Sequence, residues 1–180
     1  MIFAIITTII AAMVTASADL SSLASLDVSR VMAGEFWRLF SGHLAHLSWS
    51  QFFIDTPVFI LLYATYSRKA GPSSAILLSV FSALFVSLAV IFVGMHEVYG
   101  GLSGLSCAAL AAILLTMIIE QPRQIFLYLM GVIFCIYLLF MGGVVSGVKV
   151  AQEAHLTGVV SGLVFVLIRG KSRSLLGYWV

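Results

Sequence analysis

The sequence predicts an all-α membrane protein built as a bundle of six transmembrane helices, and three observations lead there. Of 180 residues, 62% are hydrophobic and 9% charged, and the mean hydropathy is +1.15. A soluble domain carries about 25% charged residues, so this chain lacks the polar surface to coat a globule in water. An ordinary soluble enzyme is excluded, and so is a disordered chain. Apolar runs near the roughly 20 residues that a spanning helix needs recur six times, with charges between them. The net charge of +2 is too small for a nucleic-acid footprint. Cys107 and Cys135 both lie in apolar runs, which excludes a disulfide scaffold.

The expected spans follow from the charged punctuation. Residues 2–14 form the first apolar run, and a polar stretch over 17–46 holds Asp19, Asp27, Arg30, Glu35 and Arg38. Residues 50–66 end at Arg68 and Lys69, residues 74–93 at His96 and Glu97, and residues 103–119 at Glu120 and Arg123. Residues 125–141 run into a glycine-rich stretch at 142–149, and residues 150–168 end at Arg169, Lys171 and Arg173. A membrane core over residues 1–170 with a short tail at 171–180 is the expected organisation. Ala16-Ser17-Ala18 resembles a signal-peptidase site, but no basic residue precedes Ile2, so a retained first span is expected. Cleavage there would leave the orientation of the other five spans unchanged.

Orientation comes from the basic residues. The even connections and the tail carry Arg68, Lys69, Arg123, Arg169, Lys171 and Arg173, against Arg30, Arg38 and Lys149 on the odd ones. The basic side is expected in the cytoplasm, with both termini there. Trp49 and Tyr99 are expected as outer aromatic anchors, and Tyr66 and Trp179 as inner ones. Spans two, four and six then run from outside to inside, and their first turns share one depth.

Polar residues in those turns need explaining. Asp55 lies one to two turns into span two, four residues after Gln51 and just before Pro57. A charge at the bilayer centre costs about 2.5–3.5 kcal/mol, so such residues usually face the protein interior. The plainer reading is a wet, shallow Asp55 beside the Pro57 kink. Ser103 opens span four within Gly100-Gly101-Leu102-Ser103-Gly104. A lone serine there is ordinarily an N-cap, but the glycines allow a tight turn and close approach. The soluble-hydrolase pattern G-x-S-x-G is absent, since Leu105 stands at its last glycine. His155 lies in the first turn of span six, with Gly158 and Gly162 on the same face. A serine and a histidine brought together by glycine-lined helices meet the minimum for nucleophilic catalysis.

Other candidates carry less. His43 and His46 lack the partners of a metal site, so no metal and no cofactor are expected. Cys107, one turn below Ser103, reads as a small packing residue. Glu153 points toward the loop, so no acidic third member accompanies His155. Gly142, Gly143 and Gly147 read either as a pliable lid or as an ordinary turn.

The motifs together resemble the rhomboid family of intramembrane serine proteases. Glu35-Phe36-Trp37-Arg38 with His46 resembles that family's outer-loop signature, and Gly101-Leu102-Ser103-Gly104 its G-x-S-G nucleophile motif. Ala154-His155-Leu156-Thr157-Gly158 with Gly162 resembles its A-H-x-x-G-x-x-x-G motif. The details resemble the rhombosortase branch, whose substrates are secreted proteins ending in a Gly-Gly motif, a transmembrane helix and a basic tail. The resemblance implies a Ser103–His155 dyad, a bacterial inner membrane location, a site open to the periplasm, and the transmembrane segment of a protein as partner. Lipids surround it and no nucleic acid is involved. One departure stands out. Family members carry a histidine and an asparagine in span two that help bind the oxyanion, and here those positions hold Gln51 and Asp55. Gln51 has an amide to donate, whereas Asp55 donates only when protonated. A catalytically inactive rhomboid-like protein that binds transmembrane helices is the alternative. A small transporter is a further rival, although no half-to-half similarity is visible.

Overall fold

The computed structural model describes residues 1–93, 97–124, 126, 129, 130, 133, 144, 145, 148, 149 and 151–175. Eight α-helices make up most of this: α1 (Ile2–Ala16), α2 (Ala18–Ala24), α3 (Val28–Met32), α4 (Arg38–Ser41), α5 (Trp49–Ala70), α6 (Pro72–Val93), α7 (Ser103–Glu120) and α8 (Gln152–Leu175). Two short ladders join them. β1 (Leu26–Asp27) pairs antiparallel with β2 (Val98–Tyr99), and β3 (Val144–Val145) with β4 (Val148–Lys149).

Four of the six expected spans correspond to α5, α6, α7 and α8 with boundaries a few residues apart. Among the described residues, three helices alone are long and apolar enough to cross a membrane: Pro72–Val93, Ser103–Glu120 and Gln152–Gly170. Counting two sharply bent pairs as one span each brings the number to five. α5 passes only with the Arg38–Leu44 segment, from which it turns by 97°. Its own composition explains this: Ser50, Gln51, Asp55 and Thr56 dilute its N-terminal end, and Arg68 and Lys69 its C-terminal end. Most of the expected fifth span, 125–141, lies outside the described residues, as do Gly142, Gly143 and Gly147 of the expected lid.

α1 has only 15 residues, short of a full span. It packs against α5, placing Phe3 5.9 Å from Tyr63 and 6.4 Å from Phe59 between ring centroids. Ala16-Ser17-Ala18 forms a helix boundary. Ser17 leaves α1 in an extended conformation (ψ 120°), and its Oγ accepts from the Leu20 N–H at 3.3 Å to cap α2. The chain bends by 117° there.

At the turn between α5 and α6, Gly71 adopts φ +91°, and Pro72 opens α6 at the position where its missing N–H costs nothing. Two aromatic expectations fail on burial. Tyr66 is 2% exposed and Tyr99 4%, so both face the protein interior, whereas Trp49 is exposed as an outer anchor should be.

The central seam is α7 on α8. A Cβ on Gly158 would collide with the Gly104 carbonyl, and one on Gly162 with the Ala108 carbonyl. Ala108 and Ala112 are fully buried beside it. Small residues at i and i+4 thus bring two backbones into contact, the close approach expected for helices packing in lipid. Deeper in the seam Ser161 Oγ meets Ser82 Oγ of α6 at 2.9 Å, and it donates to the Gly158 carbonyl at 2.8 Å.

Candidate active site

Ser103 is the first residue of α7, and the cap position belongs to Leu102, which makes no side-chain cap bond. The serine is therefore not the N-cap that its position suggests. Its Oγ lies 2.8 Å from Nε2 of His155, across the seam from the first turn of α8. The glycines explain the meeting. With Gly158 seated on the Gly104 carbonyl, the two helix starts approach within reach of one hydroxyl–imidazole hydrogen bond. For Nε2 to accept from Oγ, the ring hydrogen must sit on Nδ1. Nδ1 is buried and meets no acceptor among the described residues. Glu153, set aside on sequence grounds, is half-buried and near enough to act on the ring electrostatically.

The turn before Ser103 is held on both sides. Gly101 has φ +131°, a region that side chains disfavour, and a Cβ on it would collide with Nε2 of Gln51 and come within 3.0 Å of Oδ2 of Asp55. Gln51 and Asp55 thus lie beside the turn that carries Ser103. Gln51 Nε2 donates to the Gly100 carbonyl at 2.8 Å, and its Oε1 accepts from the Leu47 N–H at 3.0 Å. The amide is thus a clamp between two loops. A sequence signal for this existed: Ser48-Trp49-Ser50-Gln51 has capping-box spacing, and Ser48 Oγ accepts from the Gln51 N–H at 3.1 Å. The Asp55 carboxyl sits beside the Gln51 amide and the backbone N–H groups of Leu102 and Ser103. Its Oδ2 lies 3.6 Å from Nε2 of His46, and neither atom has a hydrogen-bond partner among the described residues.

The remaining histidine and the outer-loop arginine hold the scaffold. His43 Nε2 is 3.1 Å from both the Ala83 carbonyl and Ser87 Oγ. Ser87 gives its own proton to the Leu39 carbonyl at 2.6 Å, so Nε2 is the donor to both. Burial pushes the imidazoles of His43 and His46 down to about 4, which keeps both neutral. Arg38 is fully buried. It donates through Nε to Glu35 at 2.7 Å and through Nη1 to the Ser22 and Ser25 carbonyls at 2.8 and 2.7 Å. Among the described residues no three His, Cys, Asp or Glu side chains gather as a metal site would require.

A helical membrane protein with a serine and a histidine hydrogen-bonded between two spans, near their N-terminal ends, is the class that fold and site define. A family model described as Rhomboid domain matches residues 33–172, and the chain belongs to the rhomboid family. Members of that family are in general serine proteases acting on transmembrane substrates within the membrane. No curated protein matches the chain in a sequence search.

Proposed function

We propose that this protein is an intramembrane serine endopeptidase in which Ser103 is the nucleophile and His155 the general base. The observation that carries the reading is the 2.8 Å contact between Ser103 Oγ and His155 Nε2, held by a backbone-to-backbone seam. Ser103 Oγ attacks the scissile carbonyl while Nε2 takes its proton. The imidazolium then returns that proton to the leaving amine, and water repeats the sequence on the acyl-enzyme. The oxyanion forms at the N-terminus of α7, where backbone N–H groups and the helix dipole favour negative charge. Gln51 offers its amide there, and Asp55, as the neutral acid, a hydroxyl. The position of both beside the Ser103 turn supports this assignment.

The substrate is the transmembrane segment of another protein, cut near the periplasmic face of a bacterial inner membrane. The basic inner connections support that orientation. The motifs around Trp37, Ser103 and His155 support the rhombosortase branch and a C-terminal Gly-Gly signal. Such a signal fits the chemistry, because each glycine disfavours helix by about 1 kcal/mol relative to alanine and so eases the unwinding that exposes a peptide bond.

The test is labelling of the membrane-embedded protein with a fluorophosphonate. Ser103 is expected to label, and Ser103→Ala and His155→Ala to abolish both labelling and cleavage of a transmembrane Gly-Gly reporter while the protein stays folded. Undiminished cleavage by purified Ser103→Ala would remove the reading.

A further inference from the structure

Tyr99 stands at the end of β2, opposite Leu26 in the β1–β2 ladder. Its ring is 4% exposed and lies edge-on to His43, with centroids 5.6 Å apart at 71°. It packs in a cluster with Leu26, Val86, Val90 and Ala154, the residue before His155. The hydroxyl donates to the Gly101 carbonyl at 3.3 Å and lies 3.1 Å from where a Cβ on Gly104 would sit. It therefore spans the turn that carries Leu102 and Ser103, with the Ser103 side chain beside it. The bond is long, as resting contacts around a reaction centre often are before substrate binds.

We infer that the Tyr99 hydroxyl is a positioning group for catalysis: by holding the Gly101 carbonyl it aims the Leu102 and Ser103 N–H groups at the place where the oxyanion forms. This rests on the protease reading of Ser103. In a trans peptide the C=O and the next N–H point in opposite directions. With the Gly101 oxygen held toward Tyr99, the Leu102 N–H faces away from it, toward the Asp55 carboxyl, which the Ser103 N–H also faces. Gly101, at φ +131°, has no side chain to stop its peptide plane from rotating, so the constraint must come from outside the turn. The phenol supplies it at the Gly101 carbonyl, while the Gly42 carbonyl holds the Gly101 N–H at 3.4 Å on the other side of the residue. Burial pushes the phenol well above its ordinary range, so it remains a donor at any working pH.

The experiment compares the full chain in membranes with Tyr99→Phe, which removes one oxygen, and with Val90→Ala, which loosens the same cluster without touching the turn. Fluorophosphonate labelling rate, kcat and KM on a transmembrane reporter, and thermal midpoint are measured for each. Tyr99→Phe is expected to lower kcat and labelling rate about tenfold with KM and midpoint little changed. Val90→Ala is expected to lower the midpoint and leave labelling of the folded protein intact. Wild-type rates in Tyr99→Phe would overturn the inference. Equal slowing in Val90→Ala, or a higher KM at unchanged kcat, would overturn it as well. A wild-type protein that never labels at Ser103 would instead remove the protease reading beneath it.

Discussion

The α7–α8 seam and the peripheral segment over residues 17–48 are held together by opposite means. Between α7 and α8 there is almost no side chain at all: glycines at 158 and 162 lie on the carbonyls of Gly104 and Ala108. Between residues 17 and 48 the chain is broken into short helices and a two-residue strand, and buried polar groups organise it. Arg38 ties the carbonyls of Ser22 and Ser25, Ser41 donates to the Ala24 carbonyl at 2.8 Å, and His43 anchors the segment to α6. The difference follows from the chain. A helix satisfies its own backbone, so in lipid only close contact remains to be gained. A segment of short helices leaves carbonyls without partners at every break, and one guanidinium with several fixed donors answers that need.

The sharpest way to break the comparison is at the seam. Gly158→Ala puts a Cβ against the Gly104 carbonyl and pushes α8 outward at the level of His155. Overpacking of this kind costs about 1–3 kcal/mol, and a shift of about 1 Å between reacting groups costs on the order of 10²-fold in rate. Labelling of Ser103 should fall by that order. Gly162→Ala, one turn deeper, should lower the thermal midpoint with a smaller effect on labelling.

In the peripheral segment the effect should fall on stability. Arg38→Ala strands two buried carbonyls and Glu35 and is expected to cost about 3–5 kcal/mol, read as a lower thermal midpoint in detergent. Arg38→Lys should not restore it, because an ammonium lacks the fork. Full recovery with lysine would show that charge alone organises this segment.

The third difference is in pH. His43 and His46 are held neutral, at about 4 against an ordinary 6.5. Their folded values are depressed, so below about pH 6.5 the unfolded chain takes up protons that the folded one refuses. Stability is full above that pH and is lost as pH falls toward 4, by up to roughly 3 kcal/mol for each histidine. Thermal midpoints measured from pH 7 to 4 should show the decline, and His43→Gln should flatten part of it. The smallest effect belongs to the C-terminal ends of α5 and α7, where Lys69 pairs with Glu120 in a solvent-exposed contact. Lys69→Ala should change stability by less than about 1 kcal/mol, checked by the same melts.

What the sequence disclosed tracks this division. Helix positions in the seam, the glycine face of α8 and the meeting of Ser103 with His155 follow from spacing and shared depth, because regular helices convert sequence separation into geometry. The peripheral segment does not work that way. Nothing in the spacing of Arg38 and Ser22 says that a side chain will hold a carbonyl 16 residues away. Tyr99 reads as an outer aromatic anchor because aromatic residues near span ends usually are, and the two-residue ladder with Leu26 that turns it inward has no periodicity to read. Gln51 is legible as a neighbour of Asp55 and, by its capping-box spacing from Ser48, as tied back to the start of α5, but its grip on the Gly100 carbonyl is not. Asp55 was expected near the oxyanion, while its closeness to His46 emerges only from the fold.

The 52-residue separation of Ser103 and His155 also bears on the timing of biosynthesis. At about 5–20 residues per second, the ribosome needs roughly 3–10 seconds to make the interval between them. During that time the nascent chain carries a hydroxyl with no imidazole beside it. The serine gains its partner only when the last helix slides into the groove left by its glycines. A chain that stops before α8 therefore lacks the imidazole that meets Ser103, and the contact is completed only once that helix is made.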